Sequence, residues 1–464
     1  MAEDLQNAHT GSQAERTRRV RQITRNFFLH IHATRVHLFS LKPGYTFGLG
    51  IMLGMLFIIM VFTGVVLMMY YTPSVERAYE SVKDIVFIVP GGRIIRNLHR
   101  WASYGMVITV FLHLVRVFYT GSYLGNRSLN WVIGVVMLIL VLLMSFSGYL
   151  LPWDQLSYWA VTIGSNIAAS SRELTDLLGI TNVFDVGGFL KKLLIGGETV
   201  GQPALSRFFT LHVIFLPLTL LILTGVHFWR IRKDGGLSRP MELATADGKG
   251  RGADKWYSWP VMMWVELAIF ISILALLLIL ALFLDAPLLE RANPAYPENP
   301  AKSPWYFLGI QELVSYSAFA GGLVVPLLYI IFLFSIPYID RENHFIGLWF
   351  SGREGVKVTL WSILFATGII VTQLIILVNA GWLRDWFPGI SQWWVLFFNP
   401  ASITAMLFLA YAMVLRRITG STRMAAIALF TVSLIGLIIF TAVGILFRGP
   451  NWEFYWSASQ WPAI

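Results

Sequence analysis

Residues 96–121 read RNLHRWASYGMVITVFLHLVRVFYTG, an apolar stretch in which His99 and His113 stand fourteen residues apart. Residues 208–230, FFTLHVIFLPLTLLILTGVHFWR, repeat the arrangement with His212 and His227 fifteen residues apart. In an α-helix, fourteen residues return a side chain to within about 40° of its first direction, about 21 Å along the axis. Fifteen residues leave a rotation of about 60°, which modest helix rotation or bending could absorb. Each segment therefore predicts two histidines on one helix face at two depths.

The whole chain is apolar in the same way. Its 464 residues are 56% hydrophobic and 13% charged, whereas soluble domains carry about a quarter charged residues. About 20 apolar residues span a bilayer as a helix, and a helix satisfies its own backbone hydrogen bonds in hydrocarbon. The sequence thus predicts an all-α, polytopic membrane protein. Nine spans are expected near 46–71, 98–119, 131–150, 208–230, 260–284, 318–338, 358–379, 400–416 and 424–447.

The four histidines are predicted to bind two haem b groups. Spans two and four run in the same direction, so His99 should lie level with His212, and His113 with His227. Each pair would supply both axial ligands of one iron, without covalent attachment. The plainer alternative is that each histidine hydrogen-bonds a neighbouring helix. Zinc is disfavoured, because the pairs are too far apart for one tetrahedral site and no carboxylate or thiolate joins them.

Spans one and three repeat the fourteen-residue step in glycines, at Gly50 and Gly64 and at Gly134 and Gly148. A flat porphyrin needs the backbone to come close, and a glycine has no Cβ to obstruct it. Close helix packing is the alternative explanation for either pair alone.

Three arginines near the histidines are candidates to pair with haem propionates. Arg96 and Arg100 flank the outer histidine, and Arg116 follows the inner one by one turn. For Arg116 the alternative is a side chain that reaches out of the membrane from a helix end.

The net charge of +10 is explained by topology. Basic residues collect before the first span, after the fourth and after the eighth, which nine spans place on one side. Since positive loops stay in the cytoplasm, we expect a cytoplasmic N-terminus in a bacterial inner membrane and no nucleic-acid partner. The predicted organisation is a cytoplasmic amphipathic segment, a four-helix dihaem domain, a cytoplasmic linker and a C-terminal transmembrane domain, at residues 1–45, 46–235, 236–259 and 260–464. Residues 16–41 could form a helix along anionic headgroups.

Three motifs resemble cytochrome b of the quinol:cytochrome c and quinol:plastocyanin oxidoreductases. They are Arg96-Asn97-Leu98-His99-Arg100-Trp101, His113 through Gly121, and Gly148-Tyr149-Leu150-Leu151-Pro152-Trp153-Asp154-Gln155. The resemblance implies a low-potential haem on His99 and His212 and a high-potential haem on His113 and His227. It also implies a Rieske iron–sulfur protein or c-type cytochrome as partner, in a dimeric complex. The fifteen-residue spacing is similar to the photosynthetic and related bacterial branch, with the two halves fused here and extra spans added.

The chain contains no cysteine, so it offers no ligand for an iron–sulfur cluster and no thioether haem attachment. The covalent haem of the photosynthetic branch would need a cysteine near Ser40 or Leu41, and that cofactor is therefore not expected.

The resemblance also implies an outer site that oxidises quinol. The matching residues are Pro152, Trp153, Pro304, Trp305 and Tyr306, although an interfacial aromatic belt would have the same composition. The family's Pro-Glu-Trp-Tyr is Ser303-Pro304-Trp305-Tyr306 here, so its proton-accepting carboxylate is missing.

Glu312, two helical turns after Trp305, is a substitute acceptor, with Tyr149 or Asp154 as alternatives. Glu312 could instead cap a helix or pair with a partner chain. On the cytoplasmic side, Arg232 is the best candidate to stabilise a quinone beside the inner haem, and a solvated helix-end charge is its alternative.

The sequence therefore predicts the cytochrome b subunit of a respiratory quinol oxidoreductase of the translocase type. Electrons would cross the membrane through the two haems while protons are released outside. The missing carboxylate leaves open a dihaem conduit that does not split the electron pair and serves a multihaem cytochrome or terminal reductase. A transporter or membrane scaffold is the third class, disfavoured because broken helices and inverted repeats are not evident.

Overall fold

The computed structural model describes residues 35–37, 43–234, 236–238, 256–342 and 345–462. Within these ranges the architecture is all-α, and nine helical segments are long and apolar enough to cross a membrane. They are Leu49–Met68, Gly92–Tyr119, Gly125–Tyr149, Gln202–Lys233, Val261–Phe283, Ala320–Ile339, Arg353–Trp386, Pro400–Thr419 and Thr422–Leu446. The predicted count and order of spans are confirmed, and the chain is a multi-pass membrane protein.

The described part of the N-terminal half contains ten α-helices. The short α1 (Pro43–Thr46) is followed by α2 (Leu49–Met68), α3 (Ala78–Phe87), α4 (Gly92–Tyr119) and α5 (Ser128–Tyr149). Next come α6 (Gln155–Ala169), α7 (Arg172–Leu177), α8 (Val186–Ile195) and α9 (Gln202–Thr210), then a π turn (Leu211–Phe215) that continues into α10 (Leu216–Lys233). Helix α2 packs along α4, and α10 packs along α5. These four helices form a bundle.

The start of α4 is fixed by a glycine pair. Gly91 has a left-handed φ of 74°, which glycine adopts without a steric penalty. A Cβ on Gly92 would lie 2.1 Å from the carbonyl oxygen of Ile85 in α3. The chain therefore turns tightly into α4 and sets the height of its outer histidine.

The C-terminal half begins with α11 (Trp259–Phe283) and α12 (Trp305–Tyr316), followed by a second π turn (Ala320–Val324) and α13 (Val325–Ile339). The remaining helices are α14 (Arg353–Ala380), α15 (Leu383–Trp386), α16 (Gln392–Phe398), α17 (Pro400–Thr419) and α18 (Thr422–Leu446). Helix α18 packs against α12, α14 and α17. It also reaches the bundle, because the rings of Phe430 and Phe118 stack 3.9 Å apart.

An ion pair is buried at each end of α18. At its first turn, Arg423 donates to the carboxylate of Asp340 and, over 2.9 Å, to the hydroxyl of Ser351. Beyond its last turn, Arg448 donates to both carboxylate oxygens of Glu312. Each pair joins α18 to an earlier segment of the C-terminal half.

Most of the predicted N-terminal amphipathic segment and much of the predicted linker lie outside the described residues. Strand β1 (Arg35–His37) pairs antiparallel with strand β2 (Trp256–Ser258), with Val36 opposite Tyr257. Residues 35–37 are thus extended, not helical as considered for 16–41, and the two predicted segments meet through their backbones.

Candidate functional site

The histidines of α4 face those of the helix formed by the π turn and α10. The ring centroids of His99 and His212 are 6.3 Å apart, and those of His113 and His227 are 6.5 Å apart. Both pairs meet at the levels that the helix directions predict. The four side chains therefore form two facing pairs within one bundle.

This spacing fits two imidazoles on one metal. With a metal–nitrogen bond of about 2.0 Å and a ring nitrogen about 1.2 Å from its centroid, collinear ligands place the centroids about 6.4 Å apart. The observed 6.3 and 6.5 Å agree with that distance. Each pair can thus hold one iron axially.

A π turn explains why two histidines fifteen residues apart can lie on one face of their helix, as the two histidines fourteen residues apart do on α4. The turn Leu211–Phe215 contains His212, and a π turn holds one residue more than an α-helical turn. Pro217 follows it and has no N–H to bond back to the carbonyl of Val213. The surplus residue is absorbed at this point and not by the modest helix rotation or bending that the spacing alone allowed.

The four glycines each lie against one histidine. A Cβ built on Gly64 would lie 3.3 Å from Cε1 of His99, and one on Gly50 would lie 3.7 Å from Cε1 of His113. On α5, a Cβ on Gly134 would lie 3.8 Å from Cε1 of His227. The equivalent contact at Gly148 is tighter, 2.5 Å from Cε1 of His212. The fourteen-residue glycine step therefore matches the histidine step on neighbouring helices.

The outer histidines also hydrogen-bond through Nδ1. The hydroxyl of Thr63 lies 2.8 Å from Nδ1 of His99. Nδ1 of His212 lies 3.0 Å from the carbonyl oxygen of Met144 and 3.2 Å from the hydroxyl of Ser147. Sequence reasoning missed Thr63 and Ser147, although each directly precedes a glycine of the repeat and that position was the available signal.

The three predicted arginines differ in their partners. Arg96 donates to the carbonyl oxygens of Ala286 and Pro287, over 2.8 and 2.7 Å. Arg100 donates to the Tyr104 hydroxyl over 2.8 Å, while its Nε is buried without a hydrogen-bond partner among the described residues.

Arg116 is buried on the other layer, with its guanidinium 4.7 Å from the ring centroid of Tyr45. Its Nη2 likewise has no hydrogen-bond partner within the described part of the chain. Two buried, unsatisfied guanidinium nitrogens, one near each histidine pair, suit the carboxylates of an anionic cofactor.

One cavity of about 300 Å³ connects the outer histidine pair with the predicted quinol site. Its walls are mainly apolar, with a few polar groups, as expected of a site for a small apolar molecule. The predicted site residues that line it are Gly64, Arg96, His99, Arg100, Gly148, Tyr149, Pro152, His212 and Tyr306. Tyr71 and Asp154 line it as well.

Phenols and a guanidinium stand together at this cavity. The guanidinium of Arg100 lies 4.8 and 5.0 Å from the ring centroids of Tyr104 and Tyr149, and the ring of Tyr306 is 6.2 Å from that of Tyr104. Burial raises the pKa of Tyr306 well above its ordinary value, so this phenol stays protonated. The cluster offers hydrogen-bond donors to a bound molecule.

Three predicted quinone-site residues, Trp153, Pro304 and Trp305, are not among the residues that line the cavity. Pro304 precedes the first turn of α12, and the ring of Trp305 lies 6.2 Å from that of Tyr104. Trp153 is 4% exposed, has a left-handed φ of 54° and packs its ring against Tyr158. Of the three, Trp305 contacts a residue of the cavity wall, since its ring centroid lies 5.3 Å from that of Tyr306.

Glu312 is fully buried in α12 and is not among the lining residues of the cavity. Besides Arg448, it accepts hydrogen bonds from the Tyr316 hydroxyl over 2.6 Å and from Nε1 of Trp452 over 3.1 Å. Its ion pair is within the chain, and Arg448 lies 136 positions away. No spacing rule links two residues so far apart, so sequence reasoning could not find this contact.

Asp154 caps α6, because its Oδ1 accepts from the backbone N–H of Ser157 over 2.9 Å, and its Oδ2 accepts from that of Leu289 over 3.1 Å. Arg232 lies in the last turn of α10. Its neighbour Arg230 forms a partly buried ion pair of 3.0 Å with Asp234. The structure thus groups charged residues at the end of α10 that is nearer His227.

Comparison with known proteins identifies relatives of the N-terminal half. Residues 37–235 match the family model described as Cytochrome b/b6/petB. Cytochrome b6 of Prochlorococcus marinus is 42% identical over 185 residues, which cover 40% of this chain and 79% of that protein. Cytochrome b6 of Heliomicrobium gestii is 41% identical over 203 residues, covering 43% of this chain and 89% of the relative.

Among solved structures, a chain of a hyperthermophilic respiratory Complex III has a similar fold. The TM-score is 0.62 at 23% identity, and the match covers 92% of this chain and 99% of the other. The likeness in fold therefore extends past the N-terminal half into the C-terminal helices.

Proposed function

Because this chain belongs to the cytochrome b/b6 family of membrane electron carriers, we propose that it passes electrons from quinol across the membrane through two haem b groups. His99 and His212 would hold the outer haem, and His113 and His227 the inner one. The observation that carries this proposal is the pair of imidazole–imidazole distances, 6.3 and 6.5 Å, at two levels of one bundle.

The bound haems would supply the redox chemistry, one electron at a time. The residues of this chain bind and orient. The histidines would supply the nitrogen ligands of both haems, and the fourteen-residue step of α4 separates the two levels by about 21 Å. Arg100 and Arg116 each offer an unpartnered guanidinium nitrogen to a carboxylate. The four glycines keep the backbone of α2 and α5 close to the histidine rings.

At the outer side, we propose that quinol enters the 300 Å³ cavity. Pro152 and the apolar walls would hold the ring, and the protonated phenol of Tyr306 would donate a hydrogen bond to a quinone oxygen. Tyr149 would relay the proton of a quinol hydroxyl, passing its own phenolic proton to the carboxylate of Asp154, which lines the same cavity. Trp153, Pro304 and Trp305 would shape the wall from behind.

Glu312 stays a proposed proton acceptor. Its carboxylate is occupied by Arg448, Tyr316 and Trp452. It would therefore have to exchange one of these contacts before it takes a proton. At the inner side, Arg232 would stabilise the negative charge of a quinone under reduction.

We further propose that the chain works inside a multi-subunit oxidoreductase in a bacterial inner membrane, with its N-terminus in the cytoplasm. A Rieske iron–sulfur protein or a c-type cytochrome would take one electron of each quinol, the complex would be a dimer, and protons would be released outside. The fold shared with a chain of a respiratory Complex III supports a partner-dependent role.

A second function is favoured by one observation. Position 304 is proline where the related motif carries glutamate, and Glu312 is engaged in a buried ion pair. A site with a weak proton acceptor suits a dihaem conduit that passes both electrons to a multihaem cytochrome or terminal reductase. Turnover of the purified complex with quinol decides between them. Reduction of a high-potential acceptor supports the split of the electron pair, and its failure with both haems intact supports the conduit.

The test of the main proposal is a redox-titrated visible spectrum of the purified protein, with haem quantified per polypeptide. We expect two low-spin b haems, of which His99→Ala removes one and His227→Ala the other. A colourless protein, or one haem indifferent to both substitutions, would instead point to a transporter or scaffold.

A further inference from the structure

The two histidine layers differ in what contacts Nδ1. In the outer layer, the Thr63 hydroxyl donates its single proton to the carbonyl oxygen of Ile59 over 2.8 Å. It can then only accept from Nδ1–H of His99, 2.8 Å away. This contact places the ring proton on Nδ1 and leaves the Nε2 lone pair for a metal.

His212 is held in the same tautomer. Its Nδ1 lies 3.0 Å from the carbonyl oxygen of Met144, which can only accept. Ser147 stands beside this bond, with its hydroxyl 3.2 Å from the same Nδ1 and 3.1 Å from the same carbonyl. Both outer histidines thus carry their ring proton on Nδ1, and in each case a hydroxyl that immediately precedes a glycine lies within 3.2 Å of that nitrogen.

The inner layer has aliphatic residues at the same two positions. Fourteen residues before Thr63 stands Leu49, and fourteen before Ser147 stands Ile133. Nδ1 of His227 is buried and faces the carbonyl of Asn130 without full hydrogen-bond geometry. No side-chain hydrogen bond is found for His113 within the described residues. The layers therefore share their glycines and differ in their hydroxyls.

We propose that Thr63 and Ser147 lower the reduction potential of the outer haem relative to the inner haem. A histidine that donates a strong hydrogen bond from Nδ1 becomes a more basic ligand. A more basic ligand stabilises the oxidised, more positive iron and so lowers its reduction potential. An electron that leaves the outer haem then moves to a haem that binds it more firmly. This inference rests on the proposed function, because it takes both histidine pairs as haem ligands.

A merely structural role predicts a different outcome. Hydroxyls in membrane helices commonly bond back to their own helix, as the hydroxyl of Thr219 does to the carbonyl of Phe215 over 2.7 Å. If Thr63 and Ser147 only did this, their removal would change stability or haem content and leave both potentials in place. The potential itself is therefore the deciding measurement.

The first experiment compares midpoint potentials of both haems in Thr63→Val, Ser147→Ala and the control Thr219→Val, whose hydroxyl faces away from the bundle. The outer haem is identified as the one lost in His99→Ala. In Thr63→Val and Ser147→Ala, we expect the midpoint potential of the outer haem to become more positive and that of the inner haem to stay unchanged. In the control, we expect neither potential to change. Thr63→Ser should restore the original value. Unshifted potentials with two haems bound would overturn the proposal.

The second experiment adds hydroxyls to the inner layer, with Leu49→Thr and Ile133→Ser. We expect the midpoint potential of the inner haem to become more negative. The difference between the potentials of the two haems would then become smaller or change sign. This arm decides the matter even when Thr63→Val binds haem poorly, and an inner potential that does not fall would overturn the proposal. Failure of the proposed function is distinguishable, since it appears as missing haem in the unaltered protein before any potential is compared.

Discussion

Gly148 lies so close to His212 that a Cβ on the glycine would stand 2.5 Å from Cε1 of the ring. Real Cβ atoms do not approach carbon this closely, so the ring or the helix would have to move. Gly134, fourteen residues earlier on the same helix, leaves an ordinary 3.8 Å to His227. Glycine is therefore required more strictly at position 148 than at position 134, although both positions belong to the same repeat.

We expect Gly148→Ala to displace His212 and to lower the outer haem content. Gly134→Ala, which adds the same methyl group to the same helix, should keep His227 in place. Overpacking of this kind typically costs about 1–3 kcal/mol. Haem per polypeptide, resolved by redox titration, measures both variants. Equal loss in the two would show that the contact with the histidine is not what limits these positions.

The π turn predicts an unusual tolerance to deletion. Removal of Ile214 would shorten the spacing of His212 and His227 to fourteen and allow a regular α-helix with both rings in register. Removal of Ile108 from α4 would instead turn His113 by about 100° relative to His99. Both isoleucines are exposed on the bundle surface, so they are matched in environment. We expect two haems in the first variant and one in the second, by pyridine haemochrome assay.

The ion pair of Glu312 and Arg448 predicts a large stability effect. Arg448→Met leaves a buried carboxylate without its cation, which typically costs about 3–5 kcal/mol. Glu312→Leu with Arg448→Met removes both charges and should recover much of that loss. The control is Lys357→Met, because its pair with Glu354 is exposed and such pairs contribute about 0–1 kcal/mol.

Thermal unfolding in detergent, followed by loss of the haem Soret band, measures these variants. A double variant no more stable than Arg448→Met alone would mean that the arginine stabilises the fold through its other contact, the carbonyl of Trp452.

The hydrogen bonds and ion pair of Asp285 predict that the stability of the protein depends on pH in the acidic range. Hydrogen bonds from Arg93 and Asn97 lower the pKa of its carboxyl below the ordinary value of 3.8. A lowered pKa gives stability that is present above the ordinary value and lost as pH falls through the folded value. The difference in Tm between the protein and Asp285→Asn should therefore be constant near neutral pH and shrink below about pH 4. A difference that does not begin to shrink as the pH falls below 3.8 would exclude this charge as its source.

The nine spans could be predicted because membrane helices must be apolar over a fixed length, and composition alone reveals that. The facing of His99 with His212 followed from helix periodicity and from the parallel direction of their spans. The π turn could not be predicted. The fifteen-residue spacing shows that one residue is in excess of the helical repeat, but it does not show at which turn the backbone accommodates that residue. The partner of Glu312 was also out of reach, because Arg448 comes beside it only through the packing of α18 on α12.

The ion pairs at the two ends of α18 constrain the biogenesis of this protein. Among the described residues this helix is the most C-terminal of the nine spans, and both arginines meet carboxylates on segments made earlier. Before α18 packs against the other helices, Asp340 and Glu312 lack their arginine partners, which lie at opposite ends of α18. A chain that stops before residue 448 lacks the cation of Glu312, so this carboxylate would be left unpaired, which is strongly destabilising for a buried charge. Both ion pairs can therefore be present together only after residue 448 has been synthesised.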